Sequence, residues 1–286
     1  MTENKSSPEQ VTSSIREKIK EIIEKIKEPD KENKITNPVL RFRDQVGVLS
    51  FENIFFVPKK KEVDLLLNNL ISAEKIAVVV GGGVFSLSEL LDVMKENPKI
   101  TLFIAVDPEC KDDDLFFTLR EKSYFESKST NPSQLGLIFP IKLESLPKEM
   151  KVDYIEMVSP SPLELAMLVQ SGLNIIKEGG ELRLYIPQQD LNWFSLINTK
   201  HQTNPESLTS SNDLIDKIKE HYRKIFKLPD NKNLEVKIIS EKEAEEQRDS
   251  AHFGSFFYED QGDSGKVIII SIKKVTTSNT DEIMII

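Results

Sequence analysis

Apolar runs and helical stripes alternate along the chain from about residue 75 onward. Lys75–Val80 is an apolar, β-branched run, and Ile100–Val106 is a second one. Between them an apolar stripe recurs at helical spacing, formed by Leu87, Leu90, Leu91 and Met94. Ser86 and Glu89 form a capping box at its start, and Asn97-Pro98 ends it. This alternation predicts βαβ units and therefore a parallel sheet.

The same pattern continues to the end of the chain. Further strands are predicted at Gly136–Ile141, Val152–Val158, Glu181–Ile186, Asn233–Ser240 and Lys266–Val275. Further helices are predicted at Leu115–Arg120, behind three aspartates, at Leu163 up to Gly179, and at Leu214–Ile225. With the two strands above, these make seven, and the predicted fold class is an α/β, Rossmann-like, doubly wound sheet.

The first forty residues form a separate predicted unit. Ser7 and Pro8 begin a helix that Pro29 ends. Its thin apolar stripe consists of Val11, Ile15, Ile19, Ile22, Ile23 and Ile26. The stripe needs a partner, either the main domain or a second copy of the chain, and we favour the main domain. We therefore predict a helical arm and linker over residues 1–40 and an α/β domain over residues 41–286.

Composition narrows the class of protein. The 286 residues carry a formal net charge of −9 with a single cysteine, Cys110, so an internal disulfide is excluded. No apolar run approaches the roughly 20 residues of a membrane helix. We expect a cytoplasmic protein with no membrane partner, and the acidic charge disfavours nucleic acid as a partner. The Lys59–Lys61 run is interpreted as a solvated surface, with local phosphate contact as the alternative.

Candidate binding chemistry lies where the first two strands end. Gly81, Gly82 and Gly83 follow the first strand, and a turn without Cβ atoms lets a ligand approach the backbone. Asp107 follows the second strand, where a carboxylate can accept from two ribose hydroxyls. Together they predict a pocket for a small molecule with a ribose. The structural alternative is a tight turn beside a solvent-facing acid.

The order of these features resembles the class I S-adenosylmethionine (SAM)-dependent methyltransferases from about Lys75 to Val275. The resemblance rests on the glycine turn, on Asp107, on Val152–Val158 and on the phrase Leu173–Tyr185, whose helix, Gly-Gly turn and strand match best. It implies a seven-stranded, mostly parallel sheet with an antiparallel final strand, and SAM as cofactor. It also implies that Gly81, Gly82 and Gly83 lie against the cofactor and that Asp107 binds its ribose.

The resemblance also indicates where the chain departs from the family. The family's acid just before the glycines, which orients the amino-acid end of the cofactor, is replaced by valines at residues 78–80. Phe85 replaces a glycine, and Lys142 stands near the usual adenine-binding acid, which leaves Glu144 as the candidate acceptor from the adenine amino group. The substrate-side candidates are Ser159, Pro160 and Ser161 at the end of the fourth strand.

No metal site is predicted, because the three histidines are far apart in sequence and no ligand spacing is present. Two functions remain open at this point. The first is a SAM-dependent methyltransferase of unknown acceptor. The second is a methyltransferase-like binding or scaffold protein that has lost catalysis, which the valines, Phe85 and Lys142 favour.

Overall fold

The computed structural model describes the core of the α/β domain and part of the N-terminal helix. The described residues are 17–23, 39–42, 48–50, 53–57, 59–71, 73, 75–81, 86–110, 116–117, 133–158, 160, 163–187, 212–228, 233–240 and 266–274.

The described residues contain eleven strands and four α-helices besides the helical residues 17–23. The strands are β1 (Val39–Phe42), β2 (Val48–Ser50), β3 (Ile54–Phe56), β4 (Ile76–Val80), β5 (Leu102–Val106), β6 (Phe116–Phe117), β7 (Leu135–Phe139), β8 (Val152–Val158), β9 (Ile176–Pro187), β10 (Asn233–Ser240) and β11 (Lys266–Lys273). The helices are α1 (Lys60–Leu70), α2 (Ser86–Glu96), α3 (Leu165–Ile175) and α4 (Asn212–Ile225), with a 3₁₀ turn at Leu143–Ser145. Residues 17–23 are also helical.

The main sheet has eight strands in the order β10-β11-β9-β8-β4-β5-β7-β3. All neighbouring pairs from β9 to β3 are parallel, whereas β11 is antiparallel to both β9 and β10. The predicted mostly parallel sheet with an antiparallel final strand is confirmed. The predicted count of seven was one short, because β3 adds a short strand outside β7.

Helices cover the sheet on both faces. The larger apolar cluster joins α1, α3 and α4 to one face and includes Ile19 and Ile23 of the helical residues 17–23. The smaller cluster packs α2 against β3, β4 and β5 on the other face. The described part of the N-terminal apolar stripe, Ile19, Ile22 and Ile23, therefore contacts the main domain, as the favoured prediction had it.

At two places the observed secondary structure differs from the predicted one. Residues 116–117 form strand β6, which pairs parallel with β1 in a separate three-stranded sheet, so the prediction of a helix over Leu115–Arg120 was wrong there. The predicted Gly-Gly turn lies inside β9, which already begins at Ile176. A register irregularity between Val152 and Tyr154 accommodates the extra residues of β9.

No helix within the described ranges is long and apolar enough to cross a membrane. Lys59, Lys60 and Lys61 are exposed at the start of α1, as the solvated-surface interpretation requires.

Candidate functional site

The candidate site lies at the carboxyl edge of the parallel strands, where the strand order reverses. If the strands of the main sheet are numbered in chain order from β4, then β4, β5, β7, β8 and β9 are strands 1 to 5. Their order across the sheet is 3-2-1-4-5, so that strands 1 and 4, β4 and β8, are neighbours. The connections from these two strands leave toward opposite sides, which opens a crevice beyond their carboxyl ends. Ligands of open α/β sheets bind at such a crevice.

Gly81 lies directly in this crevice. Its N–H donates to Val106 O at 3.0 Å, and its φ is +84°, a conformation that residues with a Cβ rarely adopt. A Cβ placed on Gly81 would lie 3.8 Å from Val158 O, the carbonyl at the end of β8. The chain therefore turns tightly between the two strand ends and leaves its backbone accessible to a neighbouring group.

Asp107 lies beside Gly81 at the end of β5. Its N–H donates to Phe139 O at 3.1 Å, which places the strand ends of β5 and β7 side by side. The Asp107 side chain is buried, and its Oδ1 accepts from the N–H of Glu109 at 2.8 Å. This bond holds the carboxylate in a fixed orientation at the strand end. The structural alternative, a solvent-facing acid, is therefore not what the structure has.

The other predicted cofactor residues are described only in part. Glu144 is exposed in the 3₁₀ turn that follows β7 and packs against α3, and Lys142 is exposed just before it. Gly82, Gly83 and Phe85 lie outside the described residues. The structure therefore brings Gly81 and Asp107 together and places Glu144 farther along the chain that leaves β7.

The predicted substrate side follows β8. Pro160 is half-buried just after the strand, whereas Ser159 and Ser161 lie outside the described residues. Leu163 and Met167, at the start of α3 and one turn apart, are exposed apolar side chains. Beyond the end of β8 the described chain thus presents a proline, two exposed apolar side chains and the exposed Glu164 between them.

The C-terminal part of the sheet decides which nucleotide-binding architecture this is. β11 lies antiparallel between β9, which is strand 5 of the count, and β10. From β7 to β10 the order is therefore 3-2-1-4-5-7-6, where β10 is strand 6 and β11 is strand 7. Dinucleotide folds of the dehydrogenase type place strand 6 directly after strand 5. The reversed terminal pair is the feature that the resemblance implied.

The chain has the class I methyltransferase fold. No protein-family model matches the sequence, and no curated protein matches it. The fold is therefore assigned from the order and direction of its strands.

Solved structures similar to this methyltransferase fold include the 16S rRNA methyltransferase KamB, with a TM-score of 0.45 and 13% identity over 83% of this chain and 100% of that one. The 16S rRNA (adenine(1408)-N(1))-methyltransferase from Catenulisporales acidiphilia matches with a TM-score of 0.41 and 15% identity over 73% of this chain and 92% of that one. An rRNA methylase from Streptococcus thermophilus matches with a TM-score of 0.35 and 11% identity over 73% and 92%. At these scores the matches carry no argument about an acceptor.

A polar cluster that the sequence analysis missed lies on the α2 face of β8 and β9. Tyr154 and Glu156 of β8 are buried there, and the Tyr154 hydroxyl donates to Glu156 Oε2 at 2.5 Å. Arg183 of β9 donates to Glu181 Oε1 at 2.9 Å and lies 3.9 Å from Glu96 Oε2 of α2. Its guanidinium carbon lies 5.5 Å from the centre of the Tyr154 ring. Strand alternation alone places Tyr154 and Glu156 on one face, and this signal was available in the sequence.

Ionisation in this cluster follows from burial and from neighbouring charges. Burial by itself lowers the pKa of Arg183, but Tyr154, Tyr185 and Glu181 outweigh it, so that the pKa of Arg183 is raised. Burial and then Glu96 raise the pKa of Tyr185 to about 12, although Arg183 acts in the opposite direction. At neutral pH the cluster therefore contains a charged guanidinium and a neutral Tyr185 hydroxyl.

Among the described residues, no group of three or more His, Cys, Asp and Glu side chains is arranged to hold a metal ion.

Proposed function

We propose that the chain is a SAM-dependent methyltransferase that binds its cofactor in the crevice between the carboxyl ends of β4 and β8. One observation carries the proposal: Gly81, with its positive φ, and the buried carboxylate of Asp107 lie side by side where the strand order reverses. A backbone without a Cβ admits a bulky ligand, and a fixed carboxylate accepts from vicinal hydroxyls. These residues fit the adenosine part of SAM.

The proposed roles follow the order of the strands. Gly81, Gly82 and Gly83 lie against the cofactor, Asp107 accepts from its ribose hydroxyls, and Glu144 accepts from its adenine amino group. Ser159, Pro160 and Ser161, beyond β8, lie on the side of the methyl acceptor. Asp107 contacts the end of β7 at Phe139, and only three residues separate Phe139 from the 3₁₀ turn that carries Glu144.

The chemistry demands little of the protein's side chains. When bound, SAM would supply a methyl group on its sulfonium: an acceptor would form a bond to that carbon in line with the breaking carbon–sulfur bond, and S-adenosylhomocysteine would leave as the thioether. The protein's part is to align acceptor and methyl and to keep water away from them, which is worth several orders of magnitude in rate when the geometry is good. The apolar Leu163 and Met167 next to the strand exit suit such a water-poor contact. The proposal names no acceptor, and the cytoplasm is the proposed location.

Calorimetric titration of the full chain with SAM and with S-adenosylhomocysteine tests the proposal. We expect saturable binding of both ligands to the wild type and a loss of at least tenfold in affinity for Asp107→Ala, because the ribose loses its acceptor. Lys142→Ala is the control at the same edge, since an exposed lysine contributes no acceptor. If neither ligand produces heat at millimolar concentration, the proposal is wrong and a binding or scaffold protein on a methyltransferase fold remains.

A further inference from the structure

The chain forms a tight turn directly after β5, and Asp107 is its first residue. The N–H of Cys110 donates to Asp107 O at 3.2 Å, which closes a four-residue turn over residues 107–110. Within this turn the N–H of Glu109 donates to Asp107 Oδ1 at 2.8 Å. A side chain that accepts from the backbone two residues later forms an Asx-turn, an arrangement typical of aspartate and asparagine at the start of turns. The Asp107 carboxylate is therefore bound to the turn that it begins.

The fold fixes both ends of this turn but leaves its middle exposed. The N–H of Asp107 donates to Phe139 O of β7 at 3.1 Å. Cys110 is buried in the smaller apolar cluster, on the α2 face of the sheet. The two residues between them, Pro108 and Glu109, are exposed. The conformation of the middle of the turn therefore depends more on the backbone preferences of these two residues than on packing against the core.

Pro108 provides a strong backbone preference at this place. Its ring holds φ at about −65°, the value that the second position of the common turn types requires. Proline also keeps the residue before it extended, which suits Asp107 at the end of a strand. A residue without the ring would sample more conformations, including those in which the N–H of Glu109 no longer reaches Asp107 Oδ1. Because Pro108 is exposed, its replacement opens no cavity in the core.

The orientation of the Asp107 carboxylate determines how well it can accept from a ribose. A group that already has its binding geometry in the free protein binds more tightly, because no ordering cost remains to be met when the ligand arrives. If the turn is closed in only a fraction of the molecules, the apparent affinity falls by that fraction. The rigidity of the turn is therefore a property that ligand binding can report.

We propose that Pro108 is a positioning residue for the ribose of the cofactor. It keeps the turn over residues 107–110 closed, so that the N–H of Glu109 holds the Asp107 carboxylate in one orientation before the ligand binds. This inference rests on the proposed cofactor site and identifies what prepares its ribose acceptor.

The opposite end of β5 offers a matched control. The N–H of Ile100 donates to Asn97 O at 3.0 Å, so residues 97–100 form a second four-residue turn, with an exposed proline, Pro98, at the same position. The side chain of Asn97 does not copy that of Asp107, because its Nδ2 donates to Val93 O of α2 at 3.0 Å. The five residues of β5, about 17 Å of strand, separate the two turns. Pro98→Gly therefore reproduces the general effect of replacing a turn proline by glycine at a distance from Asp107.

Two ligands isolate the ribose contact. S-adenosylhomocysteine carries both ribose hydroxyls, and its 2′,3′-dideoxy analogue carries neither. Calorimetric titration of the full chain with each ligand gives the ratio of the two affinities, which measures what the hydroxyls contribute. We expect the wild type to prefer S-adenosylhomocysteine at least tenfold, because the analogue offers Asp107 no hydroxyl to accept from.

Pro108→Gly should reduce this preference. We expect its affinity for S-adenosylhomocysteine to fall about fivefold, since the loss of proline and the gain of glycine both loosen the turn. Its affinity for the dideoxy analogue should stay within twofold of the wild type, because that ligand does not use the carboxylate. Pro98→Gly should bind both ligands within twofold of the wild type. A purely structural role of Pro108 would lower both affinities together and leave their ratio unchanged.

The outcomes separate this inference from the proposed function. If the wild type binds neither ligand, the proposed function fails and the inference fails with it. If the wild type prefers S-adenosylhomocysteine and Pro108→Gly keeps the full preference, the positioning role is overturned while the cofactor site stands. Equal wild-type affinity for both ligands, or an equal loss of preference in Pro98→Gly, also overturns it. Should Pro108→Gly fail to fold, Pro108→Ala replaces it: a preference reduced about twofold or more supports the inference, and an unchanged one overturns it.

Discussion

Tyr185 lies near the end of β9 in a setting that keeps its hydroxyl protonated. The residue is 4% exposed and packs beside Ile239, while its hydroxyl lies 3.5 Å from an Arg183 nitrogen. Burial, and after it the charge of Glu96, raises its pKa from 10.0 to about 12. The Tyr185 hydroxyl therefore stays protonated over the whole physiological pH range and does not act as a base.

The stability of the protein at alkaline pH should depend on this residue. Because the folded state favours the protonated form, the contribution is fully present below pH 10 and is lost as pH rises toward 12. The size of the pKa difference corresponds to about 3 kcal/mol in the free energy of unfolding. Tyr185→Phe should remove this pH dependence. Denaturant unfolding of both proteins at pH 9 and pH 11.5 measures it, and parallel losses in the two proteins would contradict the assignment.

At the residue scale the sequence indicated the crevice but not the cluster beside it. The places of Gly81 and Asp107 at neighbouring strand ends could be predicted, because a glycine turn and a strand-final acid mark strand ends in a parallel sheet. Their part in binding a cofactor stays a prediction. Glu156 and Arg183 could not be paired with their neighbours, since their contacts depend on the register of β8 with β9 and of β8 with β4. Register between distant strands is set by packing and by the bulge in β9, which local sequence does not reveal.

The bulge in β9 is the least regular part of the central sheet. Gly179 has a φ of +76°, and its N–H donates to Lys274 O at 2.7 Å, while Gly180 O accepts from the N–H of Lys274 at 3.1 Å. A Cβ on Gly180 would lie 2.8 Å from Ile176 Cγ1 and 2.9 Å from Asp153 O. The second contact is with backbone, which cannot move aside cheaply.

Gly180→Ala should therefore destabilise the fold, by about 1–3 kcal/mol, because the new methyl group forces the backbone of the bulge apart. Glu178→Ala, at an exposed position two residues earlier, should change the free energy of unfolding by less than about 0.5 kcal/mol. Urea denaturation compares the two variants with the wild type. Equal stability of Gly180→Ala and the wild type would show that the bulge is not packed as tightly as described.

At the element scale, length and neighbours decided which predictions succeeded. The bounds of β8 and β10 agree with those predicted, and β4, β5 and β11 differ by one or two residues, because each is an apolar or alternating run of at least five residues between clear breaks. The prediction of a helix at residues 116–117 was wrong because a short apolar run is compatible with both a helix and a strand. Pairing with β1 makes it a strand. The three-residue β3 and helix α1 were not predicted, since both lie before residue 75, where the predicted alternation begins.

At the scale of the whole molecule, the sheet order concentrates the chemistry at one edge. The reversal between β4 and β8 brings Gly81, Asp107 and the end of β8 together, although Gly81 and Val158 are separated by about a third of the domain in sequence. The mostly parallel class and the reversed final strand followed from the alternation of elements and from the resemblance. The division into an arm over residues 1–40 and a domain over residues 41–286 stays a prediction.

A crystal structure of the full chain with S-adenosylhomocysteine would show whether this edge of the sheet holds SAM. We expect the ribose hydroxyls within hydrogen-bond distance of the Asp107 carboxylate and the thioether beside Gly81, between β4 and β8. Ligand density at any other part of the sheet, or an empty crevice in crystals grown at saturating ligand, would contradict this expectation.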